Sequence, residues 1–441
     1  MRTPRGGSLA VAAMTAGCLF AFLVTIPLPR VDGQLVGSDG VKYYVYLPSI
    51  LLDGDVDFSD EYAYFFTGQP QAAERLEATR TATGLPANRF GIGPALLWAP
   101  FFLGAHLLAL ALRTLGVPVA ADGYGYLYQA SVLVGSIVYG GLGAWFCLKA
   151  ARRLATERAA VFATLLTVLA GNAVYYLTVE PSMSHALSMF AGSAFFLVWM
   201  RAREAPEWKG CWWLGALAGL MALIRPQDGL FLVLPIIDAA VACWSRRRHR
   251  APAECVPPIL KMVLAAVLVF VPQLIAWKLL NGDFLLSGYR EEFGDLFRWT
   301  SPHLGAVLFS ARRGLYVWHP VFLFSLVGLL WVARRDRRLA ALAALGFVIQ
   351  WYVVSAWHDW AQGDAFGGRM FIVCTPIFVI GAATLVDRAA ARWSWRGIQA
   401  AGVVLVALNF LLVVQYRLDL LWAASPPTWR DLTLGRLWFL S

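Results

Sequence analysis

The sequence predicts an all-α, polytopic membrane protein with about eleven transmembrane helices and further juxtamembrane helices in its first outer loop. Three observations carry this reading. Of 441 residues, 59% are hydrophobic and 15% charged, with a mean hydropathy of +0.60, well above the apolar content of a soluble domain. The apolar residues fall in runs that reach the roughly 17 to 25 positions needed to cross a bilayer. The net charge of +10 sits in short Lys/Arg clusters between those runs, which is the positive-inside pattern and excludes a nucleic-acid partner.

Taken in order, MRTPRGGS leads into an apolar run from Leu9 to Leu28. That run is long for a signal-peptide core and no small-residue cleavage site follows it, so it reads as a retained signal anchor with a cytoplasmic N-terminus. Basic clusters recur at Arg2/Arg5, Lys149 to Arg158, Arg201 to Lys209, Arg246 to Arg250, Arg334 to Arg338 and Arg388 to Arg396. If all face the cytoplasm, the spans between them must come in pairs. They do, near 9–28, 127–148, 159–178, 185–201, 211–225, 229–244, 259–280, 315–333, 338–356, 369–387 and 398–416.

One run breaks that parity: Pro94 to Leu112, PALLWAPFFLGAHLLALAL. It is expected to lie in, or dip into, the outer interface. The outer segments are then 29–126, 179–184, 226–228, 281–314, 357–368 and the tail from 417, and these hold the acids and aromatics. None is long enough for a soluble domain, so residues 1–441 read as one integral-membrane unit with 29–126 as its first outer loop. The six cysteines, Cys18, Cys147, Cys211, Cys243, Cys255 and Cys374, fall in spans or near their basic ends. They suggest apolar filler rather than a disulfide framework or metal site.

Directly after the first span comes VGSDGVKYYVYLPSILLDGDVDF. Tyr43, Tyr44, Leu47, Ile50 and Leu51 recur at helical spacing, as in a short helix lying on the membrane surface. Such a helix would hold Asp39, on a Ser38-Asp39-Gly40 turn, at the water–lipid boundary. A single carboxylate there suits transfer of a sugar from a polyprenyl phosphate, which needs a base for the acceptor hydroxyl but no acid for the departing phosphate. A glycosidase would need two opposed carboxyls. The plain alternative for Asp39 is a turn or helix-cap residue. Asp53, Asp55 and Asp57 alternate like the start of a calcium loop, but Phe58 and Tyr64 stand where that loop needs Gly and Glu, so an acidic turn is expected.

SDGVKYYVYLPSILLDGDVDFSDEY, NRFGIGPALLWAPFFLGAH, YYLTVEPSMSHALSMF, LFSARRGLYVWHPVF and GDAFGGRMF resemble the successive blocks of bacterial polytopic glycosyltransferases of the GT-C type. These are distantly similar to protein O-mannosyltransferases and lipid A aminoarabinose transferases. The resemblance implies a lipid-linked sugar donor, an outward-facing site and a catalytic acid in the first outer loop, here Asp39. Gly40 follows it, in place of the Asp-Glu pair of the mannosyltransferases.

Candidate substrate-binding residues are Glu180, His185, Arg225, Arg369, Lys42 and Tyr43. Glu180 and His185, in VEPSMSHALS, sit where two spans meet outside and could orient the acceptor. Glu180-Pro181-Ser182 is also a good helix start, and His185 could simply bond a neighbouring helix. Arg225 and Arg369 depart from the positive-inside pattern; guanidinium groups there could chelate a phosphate or snorkel to headgroups. Lys42, Arg89, Arg312 and Arg313 are weaker phosphate candidates. Trp357, His358, Trp360 and Phe366 offer rings for a sugar or for an interfacial belt. Asp238, a lone acid in an apolar stretch, is expected to bond an adjacent helix. No cofactor and no metal ligands are assigned; a divalent cation shared by Glu180 and His185 is the one metal reading, and metal dependence stays open.

The expected function is inverting transfer of a sugar from a polyprenyl-phosphate donor to an acceptor hydroxyl on the outer face of a bacterial inner membrane. The acceptor is a glycan, lipid or protein. The rival class is a transporter or lipid-linked sugar flippase, which would place ionisable groups at mid-membrane in two related halves. Here the acids concentrate in the outer segments and the halves show no similarity.

Overall fold

The computed structural model describes residues 5–26, 33–37, 39–67, 79–205, 210–245, 256–293, 296–418, 420–421 and 427–433. Ser38, Lys209, Cys255 and the Arg246 to Arg250 cluster lie outside the described residues. Helices dominate, and the β-structure among the described residues is limited to the isolated bridges Arg80–Pro86 and Phe297–Trp357.

In chain order the helices are α1 (Arg5–Thr25), α2 (Asp39–Tyr44), α3 (Ser59–Phe65), α4 (Gly93–Thr114), α5 (Tyr126–Ala151), α6 (Glu157–Leu169), α7 (Ala173–Thr178), α8 (His185–Ala202) and α9 (Cys211–Ile224). There follow α10 (Val233–Ser245), α11 (Val256–Asn281), α12 (Pro320–Arg335), α13 (Arg337–Ala356), α14 (Thr375–Ala390) and α15 (Trp395–Arg417), with shorter turns between. Among the described residues, eight helical segments are long and apolar enough to cross a membrane, Gly93–Thr114 one of them. Each of the eleven expected spans overlaps a helix. The 159–178 run is divided between α6 and α7, because the chain turns at Gly171-Asn172, where Asn172 Nδ2 donates to the Gly368 carbonyl at 2.7 Å.

The basic clusters gather at one end of the bundle. Arg203, at the end of α8, pairs with Asp336 at the start of α13. Arg335 pairs with Asp387 at 3.5 Å, and Asp387 also accepts from the Thr156 hydroxyl at 2.6 Å. Asp336 caps α13 through the Leu339 amide, placing a carboxylate at the positive end of that helix. Asp238, fully buried, meets Trp199 Nε1 at 2.9 Å, Arg203 Nε at 2.8 Å and Arg338 Nε at 2.6 Å. This is the cross-helix bonding expected of it, extended into an ionic network.

α1 and α5 run antiparallel: Trp145 bonds Ser8 near one end, and at the other Gln129 accepts from Leu35 N and Val36 N at 2.8 and 3.0 Å. The chain between them therefore leaves and returns at the same end. α4 lies antiparallel to α5, with Trp98 on Ser136, Leu97 on Tyr139 and His106 on Tyr128. It is one continuous helix that begins beside the middle of α5 and rises toward the Tyr126 end. The basic clusters are at the far end of α5, away from the stretch that α4 packs along.

The amphipathic helix expected along Tyr43 to Leu52 is broken into α2, a turn at Tyr46–Pro48 and a π-helical turn at Ser49–Asp53 closed by Gly54 at φ +80°. Its apolar face turns into the protein, not onto lipid: Tyr44 is fully buried and Tyr43 and Leu47 nearly so, while Ile50 and Leu51 remain exposed. Tyr44 packs edge-on to Phe65 and Phe102 and donates to the Gly123 carbonyl at 2.6 Å. Among the cysteines, Cys18, Cys147, Cys211 and Cys374 are free and buried. Cys243 departs from the filler expectation and is disulfide-bonded.

Candidate active site

The end of the bundle opposite the basic clusters brings four distant segments together around α2. Asp39 opens that helix with its side chain 29% exposed, and Arg369 Nη1 stands 3.7 Å from its Oδ2. One turn on, the buried Tyr43 hydroxyl bonds Ser184 Oγ at 3.1 Å. Burial pushes the Tyr43 phenol above its ordinary range, opposed chiefly by the Arg225 charge. The phenol therefore stays protonated and serves as a hydrogen-bonding group.

Between Asp39 and Tyr43 the helix must approach the 180–184 turn closely. A Cβ on Gly40 would lie 2.6 Å from Ser182 Cβ and 3.0 Å from the Ser182 carbonyl, so glycine is the residue that fits. The same Ser182 is buried and donates to Glu180 Oε1 at 2.9 Å.

His185, the first residue of α8, receives Arg225 Nη1 on its Nδ1 at 2.7 Å. A guanidinium only donates, so Nδ1 accepts and the ring hydrogen sits on Nε2, making His185 a neutral donor. Its ring lies 4.3 Å from that of Tyr176. Arg225 ends α9 in extended conformation, which turns its side chain from the helix into the site. There it also meets Met370 Sδ. With its amide carbonyl turned toward the guanidinium, Gln227 accepts from Nη2 and Nε, each at 3.0 Å.

The structure thus joins Asp39 to Arg369, Arg225 to His185, and Tyr43 and Glu180 to the serines of one turn. Lys42 places its ammonium 5.0 Å from the Tyr62 ring centre, and its carbonyl accepts from Asn88. Arg89 lies against Phe90 and Tyr289, and Phe90 in turn packs on Tyr43 at 4.8 Å.

Two sequence expectations change. Arg313 is not a phosphate group: it is buried at φ +66° and its guanidinium binds the Ala365 and Ala361 carbonyls and Asp364, fastening the loop that precedes Arg369. Phe366 is no sugar platform, being fully buried and stacked on Tyr175 at 4.7 Å. Trp357 packs edge-on to Tyr289 and Phe297.

Residues that sequence reasoning missed are Tyr176, Ser182, Ser184, Ser188, Gln227, Asp228 and Met370. Buried Asp228 accepts from Ser188 Oγ at 2.5 Å behind Arg225. Gln227 and Asp228 stand in the polar string IRPQDG beside Arg225, a density of polar groups in an apolar region that could have flagged them. Among the described residues no group of three or more His, Cys, Asp or Glu is placed to hold a metal ion. The chemistry on hand is the carboxylates of Asp39 and Glu180, two arginines and a neutral imidazole, beside the buried phenols of Tyr43 and Tyr176.

Residues 127–277 match the sequence family described as dolichyl-phosphate-mannose-protein mannosyltransferase. A comparison with curated proteins returns no match. Among solved structures, ArnT from Cupriavidus metallidurans bound to undecaprenyl phosphate superposes with a TM-score of 0.52 at 18% identity, covering 97% of this chain and 72% of that one. Its apo state gives 0.53 at 18% identity, with 97% and 68% covered. At this identity the likeness speaks for architecture. The chain has the GT-C fold of polytopic membrane glycosyltransferases.

Proposed function

We propose that the protein transfers a sugar from a polyprenyl-phosphate donor to an acceptor hydroxyl, with inversion and with Asp39 as general base. The observation that carries this reading is the half-exposed Asp39 carboxylate standing 3.7 Å from the Arg369 guanidinium, beside the Arg225–His185 pair, in a GT-C fold. The donor enters sideways from the bilayer. Asp39 takes the acceptor proton, the acceptor oxygen bonds to the anomeric carbon, and the bond from that carbon to the phosphate oxygen breaks. The electron pair leaves on the polyprenyl phosphate, whose charge Arg225 and Arg369 stabilise. Tyr43, His185, Glu180 and Lys42 complete the substrate-binding set.

The site end of the bundle is the outer one on this reading, and the basic end is cytoplasmic. A bacterial inner membrane with a cytoplasmic N-terminus fits the clustered arginines. The test is mass spectrometry of envelope glycans and lipid-linked sugars in a strain lacking the gene, complemented with wild type or Asp39→Asn at matched expression. Loss of one sugar from the envelope, with its lipid-linked form retained and rescue by wild type alone, supports the reading. Full rescue by the Asn variant removes Asp39 from the mechanism, and an unchanged envelope and lipid-linked sugar set overturns the glycosyl-transfer reading.

A further inference from the structure

We propose that Asp228 is a positioning residue that keeps a buried negative charge one turn behind Arg225 without pairing with it. The forked donors of the arginine stay open for a phosphate, and its hold on the departing polyprenyl phosphate stays weak enough for that product to leave. The proposal rests on the glycosyl-transfer reading above and adds how the spent lipid is released.

The geometry that points to this is a ladder of two side-chain rungs between the same two elements. Asp228 N donates to the Arg225 carbonyl at 2.9 Å, at the head of the 3₁₀ helix Pro226–Leu232. Positions three apart in a 3₁₀ helix lie one above the other. His185 and Ser188 are likewise one turn apart on α8. Each meets its counterpart: Arg225 Nη1 reaches His185 Nδ1 at 2.7 Å, and Ser188 Oγ donates to Asp228 Oδ2 at 2.5 Å. Both members of the second rung are 1% exposed, so it fixes the register of the first from the protein side.

That rung leaves Asp228 Oδ1 buried with no hydrogen bond among the described residues, although an arginine one turn away carries matching donors. Arg225 gives those donors to His185, Gln227 and Met370 instead. Burial works against charge on this acid, while the Arg225 field and the Ser188 hydroxyl work for it; the 2.5 Å length is that of a hydroxyl bonded to a carboxylate. An unmatched carboxylate oxygen in the interior costs free energy, and its position in the field of Arg225 gives that cost a use. The donor, a phosphodiester, carries about one negative charge, and the released monoester about 1.5 to 2. A fixed negative charge behind the arginine therefore repels the product more than the donor.

The experiment titrates the purified full-length protein in detergent with undecaprenyl phosphate and, as a probe without phosphate, with undecaprenol. Asp228→Asn keeps an acceptor for Ser188 and removes the charge. It is expected to bind undecaprenyl phosphate about tenfold tighter and undecaprenol as the wild type does. Ser188→Ala keeps the charge and frees the carboxylate to pair with Arg225, so it is expected to bind undecaprenyl phosphate about tenfold more weakly. Opposite signs are the signature, because losing a merely structural rung weakens binding in both variants. Unchanged or weaker binding by Asp228→Asn, or an equal gain for undecaprenol, overturns the proposal and leaves the two-arginine phosphate site standing. Binding by Ser188→Ala at or above the wild-type affinity overturns it as well, and decides the matter by itself should the Asn variant not fold. A wild type that holds undecaprenyl phosphate no better than undecaprenol overturns this proposal together with the reading beneath it.

Discussion

The two ends of the bundle both bury arginines, and they treat them differently. At the basic end, Asp238 is met by Arg203 at 2.8 Å and Arg338 at 2.6 Å, and Arg203 reaches on to Asp336. At the other end Arg369 stands 3.7 Å from Asp39, with its buried Nε unpartnered among the described residues. Arg225 spends its donors on neutral acceptors, His185 and Gln227. A buried guanidinium costs free energy unless its donors are matched. The first end matches them with carboxylates and is finished as structure. The second leaves donor capacity uncommitted to any carboxylate, which is what binding a phosphoryl group needs.

The sharpest way to break the comparison is Asp39→Asn. Turnover should fall by roughly 100- to 10,000-fold, the usual worth of a positioned base, with no loss of thermal stability in detergent. A stability loss as large as the activity loss would make Asp39 another structural acid. The converse variant, Asp238→Ala, should cost about 3–5 kcal/mol by breaking the buried Arg203–Asp238 pair, read as a drop in folded yield and melting temperature. Activity per folded molecule should stay near wild type; a selective loss of turnover would erase the distinction between the ends.

Arg369→Lys and Arg225→Lys keep the charge but lose the forked donor. On the proposed glycosyl-transfer reading, each should weaken binding of a polyprenyl phosphate by about tenfold or more, given roughly 1.5–3 kcal/mol for a hydrogen bond to a charged group. Arg338→Lys at the basic end should leave that binding unchanged. Titration calorimetry or thermal-shift titration with undecaprenyl phosphate measures both.

The smallest effect concerns Glu61, a buried acid on α3 whose carboxylate oxygens both lack partners among the described residues. Burial pushes it up to about 8, with Asp53, Asp55 and Asp60 adding to the rise. The folded state then holds the proton longer than the unfolded chain, whose acid titrates near 4.5. Stability should accordingly fall as pH rises from about 4.5 to about 8 and level off above it. Glu61→Gln should flatten that slope, gaining a few degrees of melting temperature at pH 8 and little at pH 5. Equal gains at both values would assign the effect to packing.

Much of the architecture was readable in advance from particular residues. The Lys/Arg clusters at Lys149, Arg201, Arg334 and Arg388 predicted helix ends that do gather on one face, because each cluster follows an apolar run and charge resists burial in lipid. Parity alone kept Pro94 to Leu112 from counting as a crossing, and the helix there is long and apolar enough to cross a membrane. The site was readable residue by residue but not as pairs. Arg225 and Arg369 stood out for their position, yet nothing near them in sequence named His185 or Asp39 as neighbours. Phe366 looked like an available ring because exposure is not a property of local sequence. Arg313 looked like a phosphate ligand because its commitment to carbonyls at 361 and 365 depends on how two loops meet.

By itself the sequence determined the solvent of this protein, where its apolar helices fall along the chain and the end at which its basic residues collect. Those properties follow from the partition of each segment between lipid and water, summed locally along the chain. Only the tertiary structure decided that Gly40 presses on Ser182, that Tyr43 meets a serine 141 residues away, and that Arg369 reaches Asp39. Such meetings depend on which helix faces pack against each other, and packing is settled by the shapes of all the side chains between them.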